Sequence, residues 1–139
     1  MGHAIIIGAQ WGDEGKGKIV DLLCRHADFV VRYQGGPNAG HTVSVKGKRT
    51  FLHHIPAGIL HPGRICLLGN GMVVDPEAFL REIQSLEAAG VEVQGRLFLS
   101  DRAHLIFPHQ RELDRALEQN SRHRIGTTRK GVGYAYEAK

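Results

Sequence analysis

The sequence predicts an α/β fold, a P-loop-like, mostly parallel sheet with flanking helices and a β-hairpin insertion. Three observations predict it. The run His3-Ala4-Ile5-Ile6-Ile7 is rich in β-branched residues and leads through a glycine-rich stretch into Ile19-Val20-Asp21-Leu22-Leu23-Cys24, whose apolar positions suit an amphipathic helix. A second apolar run, residues 28–33, follows after about ten helical residues, and a right-handed βαβ unit with parallel strands is the economical arrangement. Further on, strand-like and helix-like patterns alternate at residues 65–68, 76–89 and 97–100.

Residues 3–7 read as a short buried strand. The stretch that follows, Gly8-Ala9-Gln10-Trp11-Gly12-Asp13-Glu14-Gly15-Lys16-Gly17-Lys18, has the composition of a phosphate loop. Glycines let backbone N–H groups converge on an anion, and the helix N-terminus adds about half a positive charge. Gly12-x4-Gly17-Lys18 fits the Walker A spacing, but Ile19 occupies the place where Ser or Thr would hold a metal. The loop carries Asp13 and Glu14 instead. Two carboxylates beside a polyphosphate are unfavourable unless a cation lies between them. The residues therefore point to a metal-bridged phosphate site, with Asp13 or Glu14 also handling a proton and Lys16 and Lys18 neutralising charge.

The predicted strand at residues 28–33 ends in a second glycine-rich loop, Gln34-Gly35-Gly36-Pro37-Asn38-Ala39-Gly40-His41-Thr42. Ligands of open parallel sheets sit at the carboxyl ends of the strands, so this loop should face the first. It offers the amide of Asn38, the imidazole of His41 and the hydroxyl of Thr42. Residues 42–45 and 49–53 alternate around Lys46-Gly47-Lys48, which predicts a β-hairpin. His53 and His54 do not make a metal pair, because neighbours on a strand point to opposite faces.

Residues 65–68 read as a central strand, followed by a third glycine-bearing turn over residues 69–76. Asp75 is a good N-cap with Pro76 at the first helical position, and Gly90 ends the helix. Phe79, Leu80, Ile83 and Leu86 share one predicted apolar face. Residues 97–100 suit a further strand, residues 104–107 are ambiguous, and residues 108–118 predict a largely polar surface helix, with His104 and His109 structural or exposed. From Ser121 to Tyr134 the chain is basic and glycine-rich with paired threonines, which the residues alone allow to be a third anion site or a basic tail.

Composition narrows the function classes. Hydrophobic residues make up 42% and charged residues 23% of the 139, the balance of a globular domain. No run of 18 apolar residues is present, and no secretory signal pattern opens the chain. Cys24 and Cys66 have no CxxC spacing and read as buried thiols in a reducing cytosol. The formal charge of +4 is placed in the first loop and between Arg122 and Lys130 rather than in one stripe, which suits small phosphorylated ligands. Aromatic residues are only 6%, which argues against a nucleic-acid surface that stacks successive bases. A nucleotide-binding module without catalysis remains the alternative to an enzyme.

The stretch Gln10-Trp11-Gly12-Asp13-Glu14-Gly15-Lys16-Gly17-Lys18 resembles the signature loop of the adenylosuccinate synthetases, the GTP-dependent enzymes of AMP synthesis. Gly35-Gly36-Pro37-Asn38-Ala39-Gly40-His41-Thr42 is similar to the family's second motif, and Gly126-Thr127-Thr128-Arg129-Lys130-Gly131-Val132-Gly133 to its third. The likeness runs from about Ile5 to the last residue, in the family's order. It implies that residues 1–139 are the N-terminal part of a GTP/IMP-binding α/β synthetase domain, incomplete relative to the full-length family. Tyr134 stands where the family usually has proline, so the turn there is not fixed by that residue.

The resemblance also implies the chemistry. GTP phosphorylates the 6-oxygen of IMP, and L-aspartate displaces that phosphate to give adenylosuccinate, GDP and phosphate. Asp13 matches the general base, and His41 the group that hydrogen-bonds the transferring phosphoryl group. The Asp13 carboxylate and the Gly40 carbonyl match the ligands of Mg2+. GTP and magnesium would be held by Gly12, Asp13, Glu14, Gly15, Lys16, Gly17, Lys18, Gly40, His41 and Thr42. IMP would be held by Asp13, Glu14, Gly15, Lys16, Asn38, Ala39, Gly40, His41 and Thr128. Cytoplasmic location, a homodimer in the full-length form, and no membrane or nucleic-acid partner go with the resemblance. Family members are about three times longer, with guanine- and aspartate-binding segments beyond the equivalent of Lys139.

Overall fold

The computed structural model describes residues 2–10, 15–45, 48–120 and 126–139. Its elements in chain order are α1 (Lys16–Leu23), β1 (Phe29–Gly35), β2 (His41–Val45), β3 (Lys48–Leu52), β4 (Ile65–Val74), α2 (Pro76–Ala88), β5 (Leu97–Leu99), β6 (His104–Leu105), α3 (Pro108–Asn120) and α4 (Val132–Glu137). Short 3-10 turns at Cys24–His26 and Ala57–Leu60 complete it. No described helix is long and apolar enough to cross a membrane.

β4 is the spine of the sheet. β1 lies parallel along one side of it, β5 parallel along the other near its start, and β6 parallel at its end. The expected hairpin is present as the antiparallel pair β2–β3. Its turn, Lys46-Gly47, lies outside the described residues.

The third glycine-bearing turn expected over residues 69–76 is not a turn in its first half. Gly69, Asn70 and Gly71 continue β4 as strand. The register against β1 shifts between Arg32 and Gln34, where two steps along β1 match three along β4, so the extra residue of the bulge lies in β4 at Gly69-Asn70. A Cβ at Gly71 would clash with the Tyr33 carbonyl oxygen, so glycine lets the bulged strand lie close against β1 rather than letting the chain reverse. The reversal comes at Asp75, whose side chain accepts the Ala78 N–H, with Pro76 opening α2 as expected.

The expected buried strand at residues 3–7 is absent, and with it the first βαβ unit. Ile5 and Ile7 are 84% and 68% exposed, and no described strand pairs with this segment. A five-residue run has strand propensity but no internal hydrogen bonds; it becomes a strand only when a neighbour supplies the ladder. The parallel neighbour of β1 is β4 instead.

Alternate residues of β4 face opposite layers. Cys66 belongs to a core with Val30, Leu52, Ile55, Ile59 and Leu86, while Leu68, Met72 and Val74 continue the same side beneath Phe79 of α2. On the other side Val73 packs with Ile106, Ala135 and Val132 under α4. The predicted apolar face of α2 is corrected at one position. Leu86 is buried and Phe79 and Ile83 are partly so, but Leu80 is 58% exposed and Glu82 is internal. Both cysteines are buried and free. Burial, with a smaller contribution from Cys24, pushes the Cys66 thiol up to about 12, which keeps it a thiol at neutral pH.

Candidate functional site

The second glycine loop leaves β1 and is seated on the end of β4. Gly36 is buried, and a Cβ there would lie 2.9 Å from Val73 Cγ2, 3.2 Å from Val132 Cγ2 and 3.3 Å from the Val73 carbonyl oxygen. Gly36→Ala should therefore lift the loop, at a cost of about 1–3 kcal/mol measurable as a lower urea midpoint. An unchanged midpoint would show that the contact is not tight. Past this anchor Asn38, Ala39 and Gly40 are all exposed. The His53 ring lies beneath them, with Nδ1 3.3 Å from the Ala39 carbonyl oxygen.

The third loop is tied to the second. Lys130 Nζ donates to the Pro37 carbonyl at 2.6 Å. The Tyr136 hydroxyl accepts from the Gly35 N–H and donates to the Gly71 carbonyl, so α4, which follows the third loop, clasps β4 to the end of β1 where the second loop begins. Residues 126–131 thus form a structured loop rather than a tail, while Ser121–Ile125 lie outside the described residues.

What shapes that loop is α3, and the sequence reading missed it. Gln110, Asp114 and Glu118 are spaced by four and all buried, on a helix expected to be a polar surface element. Asp114 accepts the Thr127 hydroxyl at 2.7 Å and the Gly131 N–H at 2.8 Å, and Glu118 accepts the Gly126 N–H at 2.8 Å. Arg129 sits between them with φ of 55°, a left-handed conformation that disfavours side chains. Its N–H is held by Thr127 Oγ1, and Thr128 is left exposed. The i, i+4, i+8 spacing was the available signal, but acceptors aligned on one helix face look the same whether water or a loop receives them.

Tyr134 is the third residue of α4, whose first-turn N–H groups have no intrahelical acceptor.

Behind the loops runs a buried charge network. Glu82 Oε1 accepts the His53 and Ile55 N–H groups, and Oε2 accepts the His54 N–H at 3.0 Å. Arg32 donates to the His53 and His54 carbonyls and, at 3.0 Å, to the Gly36 carbonyl. The peptide units of residues 53–55 therefore lie between an anion at their N–H side and a cation at their C=O side, each opposing the matching end of the dipoles. His54 Nε2 accepts the Asp75 N–H at 3.2 Å, which leaves the ring proton on Nδ1, facing Glu82 Oε2 at 3.3 Å. Asp75 in turn meets Arg111 at 2.8 Å. Burial raises the Glu82 pKa, but the hydrogen bonds from His54 and from three backbone N–H groups outweigh it, and the carboxyl lies below its ordinary range. The rings of His53 and His54 thus serve different partners, while their peptide groups share Glu82 and Arg32. Among the described residues no three His, Cys, Asp or Glu side chains gather as a metal site.

Of the first loop, Gly12, Asp13 and Glu14 lie outside the described residues. Gly15 caps α1 in a left-handed conformation and accepts the Lys18 N–H, so a helix N-terminus does follow the loop. Lys16 and Gly17 are half-buried and Lys18 exposed. α1 is pinned by Asp21, which meets His61 Nε2 at 2.7 Å. His41 opens β2 opposite Leu52, and Thr42 follows, exposed. The structure thus gathers Asn38, Ala39, Gly40 and Thr128 on two joined loops.

A mostly parallel sheet flanked by helices, with glycine-bearing loops near the carboxyl ends of β1 and β4, defines an α/β protein. The family model of adenylosuccinate synthetase matches residues 5–139, and the chain belongs to that family. It is 55% identical to the adenylosuccinate synthetase of Desulfovibrio desulfuricans over 141 residues, covering all of this chain and 33% of that one. Against the Solibacter usitatus synthetase it is 55% identical, covering 32% of that chain. Among solved structures, a fully ligated adenylosuccinate synthetase from Plasmodium falciparum superposes with a TM-score of 0.81 at 42% identity, over 94% of this chain and 31% of that one. A cyanophage S-2L succinoaminodeoxyadenylate synthetase bound to dGMP and dATP gives a TM-score of 0.73 at 28% identity. The chain therefore spans about a third of the length of the curated relatives it matches.

Proposed function

We propose that this chain supplies the IMP- and phosphate-binding loops of an adenylosuccinate synthetase, a GTP-dependent ligase of purine biosynthesis. The observation that carries this is the fastening of the Asn38–Gly40 and Thr127–Gly131 segments side by side, through Lys130 on Pro37 and Tyr136 across Gly35 and Gly71. Two exposed polar loops held together by these hydrogen bonds fit one ligand with a phosphate at one end and a base at the other. The exposed Thr128 suits the phosphate of IMP, and Asn38 suits its neighbouring polar groups.

The reaction is phosphoryl transfer from GTP to O6 of IMP, then displacement by the amine of L-aspartate. Asp13 removes the proton from N1 of the purine, which makes O6 nucleophilic. Lys16, Lys18 and the N–H groups of Gly15 and Gly17 neutralise the phosphates, and His41 donates to the moving phosphoryl group. A carboxylate at Asp13 and the carbonyl of the exposed Gly40 are hard oxygen donors, which fit Mg2+ rather than a softer metal. Magnesium would supply charge neutralisation on the phosphates. The reading includes a cytoplasmic homodimer, in keeping with two buried, reduced thiols in this chain.

His41→Asn in a full-length enzyme carrying this segment should depress kcat far more than it weakens nucleotide binding. A loss of GTP affinity with kcat unchanged would make His41 a binding residue only. The 139-residue chain alone should bind IMP weakly, prefer neither GTP nor ATP, and form no adenylosuccinate. Calorimetry with IMP on the parent, Asn38→Ala and Thr128→Ala forms tests the site directly. Both substitutions should weaken binding several-fold, and binding indifferent to both would remove these loops from the IMP site. Turnover by the isolated chain would overturn the division of labour between this segment and the remainder of the longer enzymes.

A further inference from the structure

The loop over residues 126–131 has already given most of its donors to the protein. The Gly126 N–H goes to Glu118, the Gly131 N–H and the Thr127 hydroxyl go to Asp114, and the Arg129 N–H goes to Thr127 Oγ1. Lys130, one of its two cations, donates to the Pro37 carbonyl. Asp114 and Glu118 are buried against the back of the loop. Two carboxylates there repel an anion seated in front of them unless a cation intervenes. The other cation is Arg129. Its side chain is exposed and, among the described residues, its guanidinium has no hydrogen bond or ion pair. Arg129 is also the only described non-glycine residue at positive φ, 55°. Glycine adopts that conformation without strain, whereas an arginine is held there at a cost. Strained residues of this kind persist at ligand clamps, where the surrounding bonds over-determine them.

We propose that Arg129 is a further binding residue of this site, whose guanidinium takes the phosphate monoester of the nucleotide beside the Thr128 hydroxyl. The planar fork offers paired N–H donors to two phosphate oxygens, and its charge offsets the carboxylates of α3. Thr128, next to it in the chain and exposed, gives a neutral hydroxyl to the same group. α3 has an indirect part in this. Asp114 fixes the Thr127 hydroxyl, Thr127 fixes the Arg129 N–H, and the left-handed residue so formed presents its side chain to the outside. The inference rests on the reading that residues 126–131 seat the phosphate of IMP, and it adds the residue that makes the seat attractive to an anion.

Calorimetry with IMP and with inosine, alongside urea unfolding, tests this on the chain and its Arg129→Ala, Arg129→Gly and Thr128→Ala forms. Arg129→Ala should weaken IMP at least about tenfold and leave the urea midpoint near that of the parent. Arg129→Gly should weaken IMP as much while raising the midpoint, because glycine relieves the left-handed strain. Stability and affinity then move in opposite directions, which a residue that only maintains the shape of the loop does not produce. Inosine, which lacks the phosphate, should bind all forms alike. IMP binding weakened by Thr128→Ala but unchanged in both Arg129 forms would overturn the inference and leave the reading of the site intact. An equal loss for inosine and IMP would also overturn it, since Arg129 would then act on the base or on the fold. IMP binding indifferent to all three substitutions, or absent in the parent, would overturn the reading and the inference together.

Discussion

Glu82→Ala is expected to destabilise the chain by about 3–5 kcal/mol, enough to unfold a large share of a domain whose total stability is about 5–15 kcal/mol. The carboxylate is buried and receives three backbone N–H groups and faces the His54 ring. Alanine leaves the three N–H groups, buried or partly so, without this acceptor and removes the carboxylate whose charge offsets the partly buried Arg32 cation. Glu82→Gln keeps one acceptor oxygen and should lose less. Urea unfolding of the three forms checks the order. The pH dependence has a definite sign. A carboxyl whose folded pKa is depressed contributes stability that is full above the ordinary glutamate range, about 4.3, and is lost as pH falls through the lower folded value. The gap between parent and Glu82→Gln should therefore be widest at neutral pH and close under acid conditions. A midpoint for Glu82→Ala within experimental error of the parent would remove the network from the account of the fold.

The largest functional effect is expected from Asp13→Asn in a full-length enzyme carrying this segment. Asparagine keeps the shape and can still accept a hydrogen bond, but it cannot take a proton from N1 of IMP. Loss of a general base lowers turnover by about 10² to 10⁴, or about 3–5 kcal/mol in the barrier, and a weakened magnesium site would add to it. IMP binding should be largely kept, because the proposed seat of its phosphate is the Thr127–Gly131 loop and not Asp13. The acid limb of the pH–rate profile should also vanish, which a merely structural role would not produce. Near-normal turnover, or an unchanged profile, would take Asp13 out of the mechanism.

The two expectations differ in how they could be found. The expectation for Asp13 comes from its setting in a loop of glycines and lysines, where a carboxylate beside phosphate is unfavourable without a cation or a proton to handle, and turnover of the Asp13→Asn form decides it. Nothing in the sequence marked Glu82 as internal. It lies at a position of α2 flanked by Arg81 and Ile83, and the periodicity favoured Leu80 as the buried neighbour of Phe79 and Ile83. The same holds for Arg32, a strand residue whose three carbonyl partners come from residues 36, 53 and 54.

Features that depend on a few adjacent residues were determined by the sequence itself. The Asp75-Pro76 start of α2, the hairpin around residues 46–47, the helix after the first glycine loop and the family motifs all belong here, because a cap, a turn and a loop draw their energy from neighbours within a turn or two. Only the tertiary structure decided which charges are inside. Asp114 and Glu118 are internal because the N–H groups and hydroxyl of residues 126–131 come back to meet them, and Glu82 because the 53–55 peptides do. It also decided that residues 3–7, as apolar as any strand in the chain, are not one here: propensity selects an extended backbone, but a strand exists only where another strand completes its hydrogen bonds.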